Sequence, residues 1–403
     1  SGSSVFGTSR KYNTTWSVGV GWNLHKEKFI MDHVAWINVL KLRASIGNPG
    51  NQSFDSAQSL LTYAFQFGSM NYFGLGAVLA QIGNPDLKWQ ITVDKNIGLD
   101  VTLFNKRFSL TADYYYKVTD PLLIKVSTPL SSGTETYMTN AGEQVSQGFT
   151  ASVSYYVFQN FEKRFSWMVR ANVRTQKNRI DKIGNKLSTL NASGKGSNTV
   201  RYYDGADPDD IWAVKSAGID PSNGKELFYA KDGSYTYDFS YDDEVVCGNT
   251  RPDVEGVIGS SLNWKGFSVS LNFRYQMGAD VFNEALYSKV ENISRSDLNK
   301  NQDKRALYER WQEEGDIVRF KNIASAETTP MSSRFVQEEN VLTLESVYLG
   351  YEFYDGWIKK LGLSSLKFQV SMRDVFRAST IRSERGISYP CARSMEAGLS
   401  FNF

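Results

Sequence analysis

The chain has 403 residues, 41% apolar and 22% charged, with 45 Lys+Arg against 43 Asp+Glu. A net charge of +2 makes no electrostatic case for nucleic acid, and two histidines and two well-separated cysteines (Cys247 and Cys391) argue against a disulfide frame, a transition-metal site and most His-based catalysis. No apolar run of about 18 residues occurs, so no transmembrane helix is expected, which leaves 22 Tyr and 32 Gly to be explained.

In chain order, period two dominates. Trp16, Val18, Val20, Trp22 and Leu24 alternate with Ser17, Gly19, Gly21 and Asn23. Leu40, Leu42, Ala44 and Ile46 alternate with Lys41, Arg43 and Ser45. Trp89, Ile91, Val93, Ile97, Leu99, Val101 and Leu103 then share a face, and a turn at Asn105-Lys106-Arg107 leads into Phe108, Leu110, Ala112, Tyr114, Tyr116 and Val118. Phe149, Ala151, Val153, Tyr155 and Val157 pair through a short turn with Phe165, Trp167, Val169, Ala171 and Val173. Ile258, Leu262 and Trp264 turn at Lys265-Gly266 into Phe267, Val269, Leu271, Phe273, Tyr275 and Met277. Residues 341–353 follow, then Leu366, Phe368, Val370 and Met372, and finally Met395, Ala397, Leu399, Phe401 and Phe403. The count is about eleven strands of roughly 9–13 residues, the length that crosses a bilayer when tilted.

A soluble sandwich also alternates, but three features favour an all-β, transmembrane antiparallel β-barrel. Short connections at 25–37, 105–107, 159–164, 264–266 and 354–364 alternate with long ones at 48–86, 120–147, 176–253, 278–340 and 377–391. That rhythm fits short periplasmic turns and long outer loops. The polar faces collect Lys41, Arg43, Lys117, Arg170, Arg174, Arg274 and Arg373, as a lumen would, whereas Lys95 and Glu345 are the charges expected on the apolar face. Phe401 and Phe403 end the last strand in register with its apolar face, in the manner of an outer-membrane assembly signal. Tracing the alternation back from the last strand, both first and last strands descend. The expectation is therefore the C-terminal half of a roughly 22-stranded barrel, with the plug and first barrel half elsewhere.

Particular stretches resemble the SusC/RagA-like TonB-dependent transporters of Bacteroidetes. They are Ser3-Ser4-Val5-Phe6-Gly7 with Trp16-Ser17-Val18-Gly19, Leu40-Lys41-Leu42-Arg43-Ala44-Ser45-Ile46-Gly47-Asn48, and Asn84-Pro85-Asp86-Leu87-Lys88-Trp89. Asn96-Ile97-Gly98-Leu99-Asp100 with Asp113-Tyr114-Tyr115-Tyr116-Lys117-Val118-Thr119-Asp120 is similar to that family's mid-barrel hairpin, and Ser332-Ser333-Arg334-Phe335-Val336-Gln337 to a late outer loop. The resemblance implies outer-membrane import of oligosaccharides, or of peptides, powered through TonB beneath a SusD-like lipoprotein lid. A passive porin and a barrel-anchored adhesion or assembly component remain the alternatives.

Ligand candidates are the loop aromatics Tyr63, Phe65, Phe67, Tyr72 and Phe73, and Tyr202, Tyr203, Trp212, Tyr229, Tyr235, Tyr237 and Tyr241. Flat rings stack on sugars or hold peptide side chains, although loop packing accounts for such residues as well. Asp204, Asp207, Asp209 and Asp210, and Asp220-Pro221-Ser222-Asn223-Gly224 with Glu226, invite a calcium reading, but the second stretch lacks the alternating Asp/Asn ligands and reads as a reverse turn. Asp242-Asp243-Glu244 reads as a solvated acidic run. No cofactor and no metal site are therefore expected. Residues 297–314 read as a short amphipathic helix, and Trp16, Trp22, Trp89, Trp167, Trp264 and Trp357 as interface girdles. No enzyme is expected, because both His25 and His33 fall in or beside one short turn and no nucleophile elbow is present.

Overall fold

Alternating segments pair when the turn between them reverses the chain, and eleven do so here. The structure is a computed structural model that describes residue 2 and residues 12–49, 60–160, 162–325, 327–354, 356–360, 362–382 and 393–403. The large sheet comprises β1 (Trp16–Asn23), β2 (Ile37–Asn48), β3 (Thr92–Leu103), β4 (Phe108–Thr119), β5 (Glu143–Asn160), β6 (Phe165–Asp181), β7 (Val254–Trp264), β8 (Phe267–Phe282), β9 (Val336–Phe353), β10 (Ser365–Ser379) and β11 (Met395–Asn402). All pairings are antiparallel and spatial order equals chain order. The number of strands matches the sequence reading.

Their lengths do not. β5 and β9 run for 18 residues and β6 for 17. The β5–β6 ladder extends unbroken in direction from Phe165↔Asn160 to Asp181↔Glu143. A tilted crossing takes only about 9–11 residues, so this hairpin continues past the hydrocarbon at the end where the long loops lie. Alternation fades there because neither lipid nor a core imposes it.

Short turns close the other end. Lys265 and Gly266 adopt φ of 47° and 98°, the left-handed pair of a two-residue hairpin. Glycine is required at Gly266, because a Cβ would lie 2.5 Å from the Glu352 carbonyl oxygen. Trp22, Trp36, Phe104, Phe158, Trp264, Phe267, Phe368 and Phe401 gather towards this end with exposed rings, and Trp36 stacks on Phe104 at 5.5 Å. Such a band is what a membrane–water interface selects.

Four expectations change. Trp89 precedes β3 and is buried with Leu87 beneath Ile91, Leu123 and Met138, so it packs a loop rather than an interface. In β5 the register skips Val157, pairing Tyr156 with Met168 and Phe158 with Trp167. Phe158, not Val157, therefore joins Trp167, with ring centroids 6.3 Å apart. A second bulge frees Glu345 from the pairing between Leu344 and Ser346, which turns its carboxylate to the polar face and onto Arg274 at 2.7 Å. The stretch 297–314 forms no continuous helix: one short 3-10 turn, Lys304–Leu307, lies within it, and another, Arg295–Asp297, ends at its first residue. The Arg310 guanidinium there bonds the carbonyls of Ala306, Lys321 and Val290, ties that a helix would break.

Fully buried side chains lie in the loops more than in the sheet. Leu122, Val126, Ile180, Ile183 and Leu187 form one cluster, and Leu286, Val290, Phe320 and Phe335 another. Loop hairpins support them: Thr62–Asn71 with Gly74–Gln81, Leu123–Ser127 with Thr136–Asn140, and Asp210–Val214 with Glu244–Asn249. Ser216–Ile219, Glu226–Tyr229 and Tyr235–Thr236 make a small three-stranded sheet. The loop caps are therefore folded units with cores of their own.

Candidate functional site

Two regions carry polar chemistry: the polar face of the sheet and the cap built by residues 182–253 and 283–335.

On the polar face, cations meet anions across neighbouring strands. Arg43 of β2 reaches Asp100 of β3 at 2.8 Å and Asp113 of β4 at 3.1 Å. It crosses β3 over Gly98, where a Cβ would sit 2.5 Å from Asp113 Oδ1 and 2.7 Å from Arg43 Nη2. Lys117 pairs Asp94 at 3.0 Å, Arg174 pairs Glu255 at 3.4 Å, and Arg170 donates to Asn272 at 2.8 Å. Pairs this exposed contribute about 0–1 kcal/mol each. They leave a wet wall on which Arg43, Lys117 and Arg174 are met by carboxylates, while Arg170 is held by a neutral amide.

The cap builds a groove of about 690 Å³ beside Lys195, Tyr203, Trp212, Tyr241, Asp242 and Glu244. Its floor is the Asp210–Val214 ladder, whose Ile211, Ala213 and Val214 are buried. Tyr203 and Trp212 meet there with centroids 4.9 Å apart, and the Trp212 indole N–H is buried without an acceptor among the described residues. Under them Arg201, only 1% exposed, grips Glu244 in a two-bonded fork of 2.9 and 2.6 Å. Its remaining N–H groups go to Asn198 and to the Val200 carbonyl. A buried pair with each guanidinium nitrogen bonded fixes the groove's shape more than it adds stability. Asp242 lies open to solvent and pairs Lys195 at 3.0 Å, so only part of the acidic run 242–244 is solvated.

The remaining candidates fall in separate places. Tyr63 and Phe65 lie exposed on the Thr62–Asn71 hairpin, and Tyr72 and Phe73 cap its tip, 96% and 93% exposed. Tyr202 packs against the Leu122 cluster while its backbone bonds Asn191 in both directions, so it holds the loop together. Tyr235 faces Tyr229 across the small sheet, with rings 4.9 Å apart. Of the twelve, the groove brings together Tyr203, Trp212 and Tyr241. Phe401 pairs opposite Leu366 in β11 and Phe403 follows, largely exposed.

The loop carboxylates are committed to backbone groups. Asp204 accepts the amides of Ile183 and Gly184, and Asp207 those of Asn178 and Asp209. Asp210 accepts from Asp207 N and Asn249, while Asp209 pairs Arg251. Asp220 takes Ser222 N and Oγ at 2.8 Å, closing the reverse turn on which Trp311 rests, its indole donating to Pro221 O at 3.0 Å. The Asp220 carboxyl is held below its ordinary range, first by the Tyr237 hydroxyl and then by Ser222.

A second buried knot escaped the sequence reading. Arg334 joins Glu226 at 2.8 Å and Glu291 at 2.7 Å, and Ser332 and Thr329 donate to the same carboxylates. This knot sews loop 182–253 to loop 283–335. Its members stand 108 and 43 positions apart in the chain, which is why no local pattern announces it.

An antiparallel wall with one apolar face, one face of paired charges and all its long loops at one end defines an outer-membrane β-barrel. Residues 1–293 match the family model described as TonB dependent receptor-like, beta-barrel, and the chain belongs to that family. It is 26% identical to TonB-dependent receptor P39 of Formosa agariphila, over 93% of this chain and 40% of that protein. To TonB-dependent receptor SusC of Bacteroides thetaiotaomicron it is also 26% identical, over 88% of this chain and 36% of that one. Its fold is similar to the structure of the RagAB peptide transporter, with a TM-score of 0.84 and 23% identity over 100% of this chain and 44% of that chain. The chain thus spans about two fifths of the length of the curated relatives it matches. The SusC/RagA likeness and the outer-membrane location follow from these matches. The apolar face is the lipid face, and the polar face lines the lumen.

Proposed function

We propose that the chain forms part of the wall and outer vestibule of a TonB-dependent importer, most simply of an oligosaccharide, with a peptide as the alternative cargo. In this reading a SusD-like lipoprotein covers the vestibule, TonB supplies energy, and sequence outside this chain supplies a plug and the first half of the barrel. Relatives more than twice as long as the matched region support that division. Phe401 and Phe403 serve as the assembly signal. The observation that carries the proposal is the vestibule groove, where the Tyr203–Trp212 pair offers ring faces beside Lys195 and Tyr241 over a floor locked by Arg201 and Glu244. A flat apolar face beside single polar donors is what pyranose rings and peptide side chains both bind.

The test is mass spectrometry of ligand retained by the full-length transporter purified from native membranes, followed by binding of that ligand to Trp212→Ala. An oligosaccharide is expected, with affinity lowered about tenfold, or about 1.4 kcal/mol, in the variant. A retained peptide selects the alternative cargo. Uptake that persists without TonB would instead support a passive porin, and unchanged uptake after deletion would leave only an anchored surface component.

A further inference from the structure

On the lipid face, four residues of β3, β4, β5 and β6 stand in one lateral row. Lys95 pairs opposite Tyr116, Tyr116 opposite Gln147, and Gln147 opposite Lys177. Both lysines are exposed, and neither has an ion-pair partner among the described residues. Lys95 Nζ lies 5.8 Å from the centre of the Tyr116 ring. Gln147 accepts weakly from Tyr114 Oη at 3.4 Å, which leaves its amide N–H groups to donate.

The row's height is set by the strands. Lys95 stands eight residues before Leu103 at the short-turn end of β3 and Lys177 twelve after Phe165 at that end of β6, or roughly 19 Å and 28 Å up tilted strands, so the row climbs from the top of the apolar band into the headgroup layer. Directly below it, Ala44 leaves a dent of about 520 Å³ between Val18, Val20, Ile46, Ile97 and Tyr114. A lysine placed against hydrocarbon is costly unless it reaches the interface and meets an anion. Two lysines three strand spacings apart stand about 14 Å from each other. One phosphodiester does not span that width, whereas two phosphates on the ends of a disaccharide do.

We propose that this face holds an outer-leaflet glycolipid whose disaccharide headgroup carries two phosphates. One acyl chain fills the dent beneath Lys95. One phosphate pairs with Lys95 and the other with Lys177, and Tyr116 and Gln147 hydrogen-bond the sugar between them. The site lies on the outside of the barrel and is separate from the vestibule, so it does not depend on the cargo.

Native mass spectrometry of the full-length transporter in detergent, titrated with a bis-phosphorylated glucosamine-disaccharide lipid, its mono-phosphorylated form or phosphatidylglycerol, tests the proposal. The bis-phosphorylated lipid is expected to bind at least tenfold more tightly than either competitor, and more weakly as salt rises. The double variant Lys95→Gln, Lys177→Gln is expected to lose at least tenfold of that binding, and Ala44→Leu, which fills the dent at unchanged charge, several-fold. Equal retention of the three lipids by the unmodified protein overturns the proposal without reliance on any variant. So does equal binding of the mono- and bis-phosphorylated forms, or undiminished binding in a double variant that migrates as a folded barrel.

Discussion

At Gly98 the absence of a side chain is what lets Arg43 of β2 cross β3 and reach Asp113 of β4. Replacement by alanine puts a methyl group into that path. Gly98→Ala is expected to lower the thermal unfolding temperature of the full-length protein by a few degrees, and to be non-additive with Arg43→Ala in a double-mutant cycle. Strict additivity would show that the glycine and the ion pair are unconnected. Asp297 gives a residue-level prediction in pH. Lys300 first, then Ser294, hold its carboxyl down to about 2. A carboxylate depressed in the folded state contributes its full stabilisation above its unfolded value of about 4 and loses it as pH falls through the folded one. Amide protection around residues 294–300 is therefore expected to be flat from neutral pH to about 5 and to fall between about 4 and 2, whereas Asp297→Asn abolishes the step. At this scale the sequence was least legible. Tyr203 and Trp212 stood out because aromatic rings in outer loops are conspicuous, but the Arg201–Glu244 fork beneath them joins residues 43 positions apart, and no spacing rule connects them.

Strand register decides what each element presents. In β9 a single bulged residue, Glu345, turns its charge towards Arg274 and keeps Leu342 and Leu344 in line with Val347 and Leu349 on the lipid face. Deleting Glu345 removes the bulge and sends every residue on one side of it to the opposite face. The expected result is loss of the folded, heat-modifiable barrel band in outer-membrane fractions, whereas Glu345→Gln, which keeps the backbone count, assembles. Normal assembly of the deletion would show that the register is not pinned there. The strands were readable because lipid on one side and water on the other impose period two on whatever side chains lie between. Bulges were not readable, since one extra residue shifts the phase without changing composition. The cap hairpins stayed hidden for a related reason. Strands such as Glu226–Tyr229, with only four residues, none of them exposed, are too short and too evenly covered to carry an alternation. The same holds for 297–314, where charges suggested a solvated helix face although Arg310 is turned inward to satisfy three carbonyls.

Across the whole molecule, two kinds of order coexist. The wall is regular and was foreseen; the cap is idiosyncratic, and its two loops are joined by Arg334 bonds to Glu226 and Glu291. The wall's pairing also has a temporal side. Because each wall strand pairs with its neighbours in the chain, every second addition closes only a short turn, at small entropic cost. Loop 182–253 has no such luxury: its Glu226 must wait until β7, β8 and the whole of loop 283–335 exist before Arg334 arrives. Maturation should therefore be staged, with the hairpins of the wall paired before the two cap loops are joined. Pulse proteolysis during assembly of the full-length protein is expected to find the β5–β6 hairpin protected while the cap is still cleavable. Simultaneous protection of both would contradict that order. Hairpins built this way would stand paired before the outer groove above them had taken its shape.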